Sequence, residues 1–405
     1  LILLLAPAAA SALAAHARDR SDGAAFNRTL AAMLALCFLT GTLVPAGGVT
    51  VQPLKDAADR LRQTILNYFF FTEERNVFSL SAEGYYPQGL GQLGGPPDLS
   101  DHPVMTVETT RTAYLRGAAL DRYDGHAWSD SIGGRRYLWI SGQWNGQRTE
   151  IFDQNLPASE TLAEETLTVR MEGGSASSLF VPQRVRALNA GGDLVPYFNR
   201  ASEIFVTRDL SGDDTYSVTA PLQAAGDPGL DELIARCAAQ GDPARDEAVA
   251  EVYLSLPEGW ETPEWMNSLI RDAVGSADTP YARALALRDW LRRNCRYTLD
   301  VPCQDTGVDF VSSFLLPGNR AGYCTYFASA LAVLCRVEGI PARYVEGYLA
   351  VPDADGIARV TGLDGHAWTE IWLSGYGWLT IDATPGDEGS GESARDPAGE
   401  PPDPL

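Results

Sequence analysis

The stretch RAGYCTYFASALAVLCRVEGIPARY, residues 320–344, decides the predicted fold. Counted from Phe327, apolar side chains recur at i, i+3, i+4 and i+7, which predicts one face of a buried helix. Gly339 and Pro341 supply the signal for its end. Cys324 then falls in the first turn, where the free backbone N–H groups and the helix dipole favour a thiolate. The alternative is a buried, inert cysteine, which is the role we expect for Cys335 on the same helix.

Downstream of this helix, the sequence predicts a β-hairpin. His366 precedes the strand-like run AWTEIWL, residues 375–377 predict a tight turn, and WLTID, residues 378–382, predicts the second strand. Antiparallel neighbours lie about 5 Å apart, so the hairpin brings Asp382 beside His366. With Cys324 these residues form a candidate set for thiol catalysis: the thiolate attacks a carbonyl, the histidine moves the proton and the aspartate fixes the imidazole tautomer.

Several stretches resemble bacterial transglutaminase-like proteins. This resemblance implies an α+β fold, with a papain-like core in which a helix-borne cysteine packs on an antiparallel sheet. It also implies that Cys324 is the nucleophile, His366 the base and Asp382 the third member of a triad. One local difference is Gly365, where the membrane-anchored subgroup more often has Ala. The stretches are GYCTYFASALAVLCRVEGIPARYVEGYL (322–349), GHAWTEIW (365–372), GYGWLTIDATP (375–385), YARALALRDWLRRNCRYTLDVP (281–302) and YLRGAALDRYDGHAW (114–128).

The pentapeptide DGHAW occurs twice, but only the second copy is accompanied by other candidate catalytic residues. Residues 124–128 precede a turn-like run, and no nucleophile in a helix-start context lies nearby. We therefore expect a structural role for His126, with Trp128 anchoring the turn to the β-rich domain. The two remaining histidines, His16 and His102, have no predicted partners.

The uncharged run 29–51 is long enough to cross a hydrocarbon core of about 30 Å as a helix. The apolar run 1–15 is expected to be part of another span, and the chain is expected to be a fragment of a longer protein. A signal peptide is the alternative for 29–51, but an apolar stretch and a charged loop precede it. Arginines in the loop 16–28 favour a cytoplasmic position for that loop, which places the chain after residue 51 outside the cytoplasm. The resemblance implies the same multi-pass, extracytoplasmic arrangement in the cell membrane.

Five regions are predicted along the chain. The transmembrane part is 1–51. An amphipathic helix and a Gly- and Pro-rich linker occupy 52–103, and an acidic, Pro-rich linker occupies 386–405. Short strands separated by Gly-rich turns predict a β-rich domain at 104–226, with examples at 104–108, 167–171, 203–207 and 215–219. Helices at 264–274 and 280–294 open the predicted catalytic domain, 227–385.

Charge and motifs exclude several classes of function. The net charge of −22 argues against a nucleic-acid surface, which needs clustered cations. No metal-binding or nucleotide-binding motif is present, so no cofactor is expected. Tyr297 is a candidate side-chain donor for an oxyanion, although a packing role is equally open. Cys295 and Cys303 are candidates for a disulfide in an oxidising compartment. Lys55 is the only lysine, which we attribute mainly to coding bias.

These observations predict an extracytoplasmic, membrane-embedded thiol acyltransferase of the transglutaminase type. Its Cys324 would form a thioester with a carboxamide, such as a glutamine side chain, of a protein or peptide in the cell envelope. Two alternatives stay open from the sequence. The same triad could hydrolyse envelope peptides as a cysteine peptidase or amidase, or the chain could be a non-catalytic envelope scaffold.

Overall fold

A computed structural model describes residues 77–385, except 90, 140–147, 154–155, 157–159, 161, 174–175, 192–193 and 303–307. The membrane segments predicted at 1–15 and 29–51, the amphipathic helix predicted after residue 52 and the tail 386–405 lie outside the described residues. Among the helices that the structure does describe, none is long and apolar enough to cross a membrane.

The helix predicted from residues 320–344 runs from Cys324 to Val337 and forms the centre of the core. Every residue from Cys324 to Arg336 is buried, which agrees with a sequence that is apolar on nearly all sides. The helix packs against two strands of a sheet, and Thr369 on one of them donates a hydrogen bond to the carbonyl of Ala328 at 2.9 Å. Gly339 follows the helix in the left-handed region, φ 75°, as the predicted end signal requires.

The part of the chain that the structure describes contains five further α-helices and three short helical turns. Capping residues explain several helix starts: the Thr279 hydroxyl accepts from the N–H of Ala282 at 3.1 Å, and Asp242 caps the helix that begins at Pro243. The predicted helices 264–274 and 280–294 are confirmed. The α-helices are α1 (Leu230–Ala238), α2 (Pro243–Tyr253), α3 (Glu264–Val274), α4 (Pro280–Asn294), α5 (Phe310–Leu315) and α6 (Cys324–Val337); the turns are two 3-10 helices, Leu80–Glu83 and Gly362–Asp364, and a π-helix, Thr149–Asp153.

The strands predicted from alternating patterns are present, with ends that differ by one or two residues at most. The hairpin predicted after His366 is also confirmed. The strands are β1 (Pro103–Glu108), β2 (Ala113–Leu120), β3 (Arg122–Tyr123), β4 (Trp128–Ser129), β5 (Arg136–Leu138), β6 (Glu165–Met171), β7 (Ser178–Leu179), β8 (Ala187–Ala190), β9 (Pro196–Asn199), β10 (Ile204–Val206), β11 (Thr215–Ala220), β12 (Arg296–Tyr297), β13 (Ala321–Gly322), β14 (Ala342–Ala350), β15 (Ile357–Thr361), β16 (Gly365–Leu373) and β17 (Gly377–Ile381).

Two sheets combine strands from the β-rich region with strands from the core. A four-stranded sheet has the order β17-β16-β14-β2, and a five-stranded sheet has the order β15-β1-β6-β11-β8. All pairs in these two sheets are antiparallel. Strands from both sides of the predicted boundary at residues 226–227 therefore share hydrogen-bonded ladders. The described residues all belong to one structural unit, and the boundary itself stays a prediction.

Gly347 allows β2 to approach β14 at the level of the site. It lies opposite His366 on β16 and beside a register shift in the pairing with β2. A Cβ atom at this position would lie 2.0 Å from the carbonyl oxygen of Leu115, so only glycine fits without moving the backbone. The close approach brings side chains of β2 within reach of the hairpin that carries the candidate histidine and aspartate.

The segment predicted as a linker at the end of 52–103 is instead a fixed part of the core. Tyr85 and Tyr86 are buried, and the Tyr86 hydroxyl donates to the carboxylate of Glu346 on β14. The same carboxylate accepts from the backbone N–H of Leu80 at 2.9 Å. Burial raises the pKa of Glu346, and these donors offset part of that effect. Glycine and proline here shape a coil that packs on the sheet rather than a spacer.

Candidate active site

The structure brings the three predicted residues Cys324, His366 and Asp382 together. Cys324 is the first residue of α6, His366 lies near the start of β16, and Asp382 directly follows β17. The distance between His366 Nε2 and Asp382 Oδ2 is 2.7 Å. Cys324 is 1% exposed, and the histidine and aspartate side chains are 13% and 12% exposed. Tyr323, which precedes α6, provides no side-chain cap, and the positive end of the helix dipole favours an anion at the sulfur.

The His366–Asp382 pair is strongly polarised. Burial acts to lower the pKa of His366, but the Asp382 carboxylate and a hydrogen bond with Cys324 outweigh it and raise the pKa to about 10. Burial likewise acts to raise the pKa of Asp382, but the His366 charge and hydrogen bonds from Thr384 lower it to about 2. Because Nε2 is held by Asp382, Nδ1 is the ring nitrogen left for the thiol. The pair therefore favours an imidazolium beside Cys324.

The polarised pair predicts a window of pH in which it stabilises the fold. The raised pKa of His366 gives stability that is full below its ordinary value of 6.5 and is lost as pH rises through about 10. The lowered pKa of Asp382 gives stability that is full above its ordinary value of 3.8 and is lost as pH falls through about 2. We expect the difference in unfolding free energy between the wild type and Asp382→Asn to be largest between about pH 4 and 6.5. Chemical denaturation at a series of pH values measures it, and a difference that does not change with pH would contradict the assignment.

Tyr297, the candidate oxyanion donor, lies on β12 next to the start of α6. It pairs in parallel with Gly322 on β13, two residues before Cys324. Burial first, and then the charges of Cys324 and Asp382, raise the pKa of its hydroxyl. The phenol therefore stays protonated close to the sulfur, as an oxyanion donor must. This position fits the candidate role, which stays a prediction.

Two tyrosines that the sequence analysis did not select also reach the site. Tyr114 on β2 donates to Asp382 Oδ2 at 3.0 Å. Tyr85 donates to the carbonyl of Gly365, next to His366, at 2.5 Å. Tyr114 opens the stretch YLRGAALDRYDGHAW, so the resemblance contained a signal for it. Tyr85 lies in a Gly- and Pro-rich segment and had none.

The first DGHAW copy forms a turn, in agreement with the structural role predicted for His126. The Asp124 carboxylate accepts from the backbone N–H groups of His126 and Ala127 at 2.8 Å. Trp128 contacts Tyr123 of the β-rich region at 5.0 Å between ring centroids, as expected, but it also reaches the core. Its indole N–H donates to Ser329 on α6 at 3.0 Å, and its ring stacks on Tyr344 of β14 at 5.4 Å. The turn is thus fixed to the helix that carries Cys324.

The structure also bears on the predictions for His102, for the remaining cysteines and for metal binding. His102 was expected to have no partner, but its Nε2 lies 3.3 Å from Glu83 Oε2. Cys335 is fully buried as predicted, and burial raises the pKa of its thiol. Cys295 is buried with a free thiol. Cys303 lies outside the described residues, so the disulfide considered between these two cysteines stays a prediction. In the part of the chain that the structure covers, no cluster of His, Cys, Asp or Glu could hold a metal ion.

The fold and the site together define a class of protein. A papain-like α+β core presents a cysteine at a helix start against a His–Asp pair on an antiparallel hairpin, which is the arrangement of cysteine enzymes. Two family profiles match the chain: the transglutaminase-like superfamily over residues 267–383, and the TgpA N-terminal domain over residues 88–226. The chain therefore contains a transglutaminase-like core, preceded by a region that matches the TgpA N-terminal domain.

Similar proteins agree with this assignment. YebA, an uncharacterized protein of Bacillus subtilis (strain 168), is 27% identical over 316 residues, which are 73% of this chain and 40% of YebA. A protein-glutamine gamma-glutamyltransferase of Pseudomonas aeruginosa is 42% identical over 90 residues, 22% of this chain and 13% of that protein. The chain thus spans less than half the length of these relatives. The crystal structure of the periplasmic domain of TgpA from Pseudomonas aeruginosa superimposes with a TM-score of 0.52 at 22% identity, covering 73% of this chain and 93% of that one. This likeness shows a shared fold.

Proposed function

We propose that the chain is an extracytoplasmic thiol acyltransferase that acts on glutamine-like carboxamides through a thioester on Cys324. One observation carries the proposal: a cysteine at a helix start interacts with a histidine whose other nitrogen lies 2.7 Å from a buried carboxylate. This geometry supports proton transfer in both directions, because the aspartate stabilises the imidazolium that each half-reaction needs. Cys324, His366 and Asp382 are the proposed nucleophile, base and orienting acid.

The proposed reaction has two half-reactions. The Cys324 thiolate attacks the carboxamide carbon, and the C–N bond breaks as His366 gives its proton to the departing ammonia, which leaves a thioester. A primary amine then attacks the thioester carbon, His366 takes the proton from the amine, and the C–S bond breaks to release a substituted amide and the thiolate. The backbone N–H of Cys324 and the Tyr297 hydroxyl are the proposed donors to the oxyanion of each tetrahedral intermediate.

One observation supports acyl transfer in particular. A relative that is 42% identical over 90 residues carries the name protein-glutamine gamma-glutamyltransferase. The substrate that fits this chemistry is a protein or peptide of the cell envelope.

A labelled-amine assay tests the proposed reaction. The full-length chain is incubated with a glutamine-containing protein and a fluorescent primary amine, and covalent incorporation is followed by gel fluorescence and mass spectrometry. We expect incorporation with release of ammonia. Cleavage of the protein without incorporation would identify the peptidase or amidase alternative instead. If neither product forms, the scaffold alternative is favoured.

We further propose that the chain is anchored in the cell membrane through the uncharged segment 29–51, with residues 77–385 outside the cytoplasm. The fold shared with a periplasmic domain supports this orientation. The test uses intact cells or spheroplasts that carry the full-length chain. A protease that cannot enter the cytoplasm is expected to digest the region 77–385. Protection of that region until the membrane is permeabilised would contradict the orientation.

A further inference from the structure

Strand β2 places the hydroxyl group of Tyr114 beside Asp382 in the site. Tyr114 donates to Asp382 Oδ2 at 3.0 Å, and the same oxygen lies 2.7 Å from His366 Nε2. The other carboxylate oxygen, Oδ1, accepts from the backbone N–H of Thr384 at 2.8 Å. The carboxylate is therefore held from three directions, by β2, by β16 and by the chain after β17.

The Tyr114 ring is held as firmly as its hydroxyl. It contacts the ring of Trp368 edge to face at 5.3 Å and 64°, and it lies 6.2 Å from the ring of His366. Its backbone pairs with Leu349 on β14. Burial first, and then the charge of Asp382, raise the pKa of Tyr114 well above its ordinary value, so the hydroxyl keeps its proton. The phenol is therefore a permanent donor at a fixed position.

We propose that Tyr114 is a positioning residue for the reaction, which holds the Asp382 carboxylate in the orientation that pairs with His366. The inference rests on the proposed function, in which His366 moves the proton. A hydrogen bond from a neutral hydroxyl disperses part of the negative charge on the carboxylate. Without it, the carboxylate is freer to rotate and binds the imidazolium proton more strongly. His366 would then release its proton less readily in the step that needs it.

Tyr114 lies outside the core match at residues 267–383 and inside the TgpA-type match at 88–226. The region before the core is thus part of the catalytic unit, since it supplies a side chain that touches the proposed triad. The hydrogen-bonded pairing of β2 with β14 therefore has a proposed functional role, because it holds Tyr114 beside Asp382.

The test replaces Tyr114 with phenylalanine in the full-length chain, which removes only the hydroxyl. We expect kcat to fall by about 10-fold with KM changed by less than about 2-fold, the size of effect for a hydrogen bond to a charged group. The limb of the pH profile that reports loss of the His366 proton should move up by roughly half a pH unit. In an Asp382→Asn background the same change should have little further effect, because its partner charge is gone.

Tyr216→Phe is the matched control. Tyr216 on β11 is buried, whereas Tyr114 is partly buried, and the Tyr216 hydroxyl donates to the carbonyl of Phe180 at 2.9 Å in the β-rich region. It should leave kcat and the pH profile unchanged. An upward shift of the same size in Tyr216→Phe, or none in Tyr114→Phe, would overturn the proposal.

A second readout needs no substrate and separates this inference from the proposed function. The rate of Cys324 alkylation by iodoacetamide is measured against pH. The midpoint pH of the rate change that accompanies loss of the imidazolium proton is then compared between variants. If the chain transfers no acyl group, the proposed function fails while this midpoint still tests Tyr114. If the alkylation rate changes at the same pH in the wild type and in Tyr114→Phe, the positioning role is contradicted, whichever reaction the protein catalyses.

Discussion

Replacing Cys324 with alanine is expected to lower amine incorporation by on the order of 10³-fold or more, which is the usual cost of removing a nucleophile. No thioester can form without this sulfur, and the remaining groups of the site would offer only binding and oxyanion stabilisation. His366 and Asp382 should keep their 2.7 Å contact, because it does not depend on the thiol. The assay is the labelled-amine incorporation above, with mass spectrometry of any trapped acyl group.

Cys335→Ala supplies the matched control for this prediction. Cys335 lies on the same helix and is fully buried, and burial raises the pKa of its thiol, so it is not a nucleophile. The variant should lose about 1 kcal/mol of stability through the small cavity it creates and retain its activity. Equal losses of activity in both variants would mean that alanine acts by disrupting the helix and not by removing the nucleophile. Full activity in Cys324→Ala would refute the thioester mechanism.

The sequence was sufficient for the parts of the site that depend on local patterns. Helix α6 could be predicted because its apolar spacing, its glycine stop and its Cys324 start lie within one continuous stretch. The hairpin of β16 and β17 could be predicted for the same reason, and its register then placed Asp382 near His366. In each case, neighbours in the sequence are neighbours in space.

The parts that could not be predicted depend on contacts between distant segments. The pairing of β2 with β14 joins residues more than two hundred positions apart, and no local pattern specifies that register. Tyr114 reaches Asp382 only through this pairing. The packing of Tyr86 on Glu346 was hidden in the same way, because a Gly- and Pro-rich composition indicates a coil but not whether the coil is buried.

A buried cluster of charges beneath the site leads to the second large prediction. Glu370 on β16 lies between Arg116 on β2 and Arg343 on β14, with N–O distances of 3.3 and 2.5 Å. All three side chains are at most 1% exposed. Burial acts to raise the pKa of Glu370, but the two guanidinium groups outweigh it and lower the pKa, so the carboxylate is charged. The cluster joins three of the four strands of the sheet that carries His366.

The two arginines also fix the loop between β9 and β10. Arg116 donates to the carbonyl of Ser202 at 2.6 Å, and Arg343 donates to the Ser202 hydroxyl at 3.0 Å. Ser202 has φ 66°, in the left-handed region that costs a non-glycine residue conformational energy. The hydrogen bonds from the arginines help to hold this backbone conformation. The charge on Glu370 therefore stabilises both the sheet and the loop that packs on it.

Glu370→Gln should destabilise the protein by about 3–5 kcal/mol, because it removes the carboxylate that pairs with two buried guanidinium groups. This is a large share of the roughly 5–15 kcal/mol that separates folded from unfolded states of typical domains. Denaturant titration measures the loss, and Glu264→Gln is the control. Glu264 pairs with Arg271 at 2.9 Å, but their side chains are 79% and 63% exposed, so its replacement should change the stability little. Equal effects of the two substitutions would show that burial does not govern the energy of the Glu370 cluster. A loss confined to Glu370→Gln would show that the sheet under His366 depends on a charge that β16 contributes four residues after the histidine.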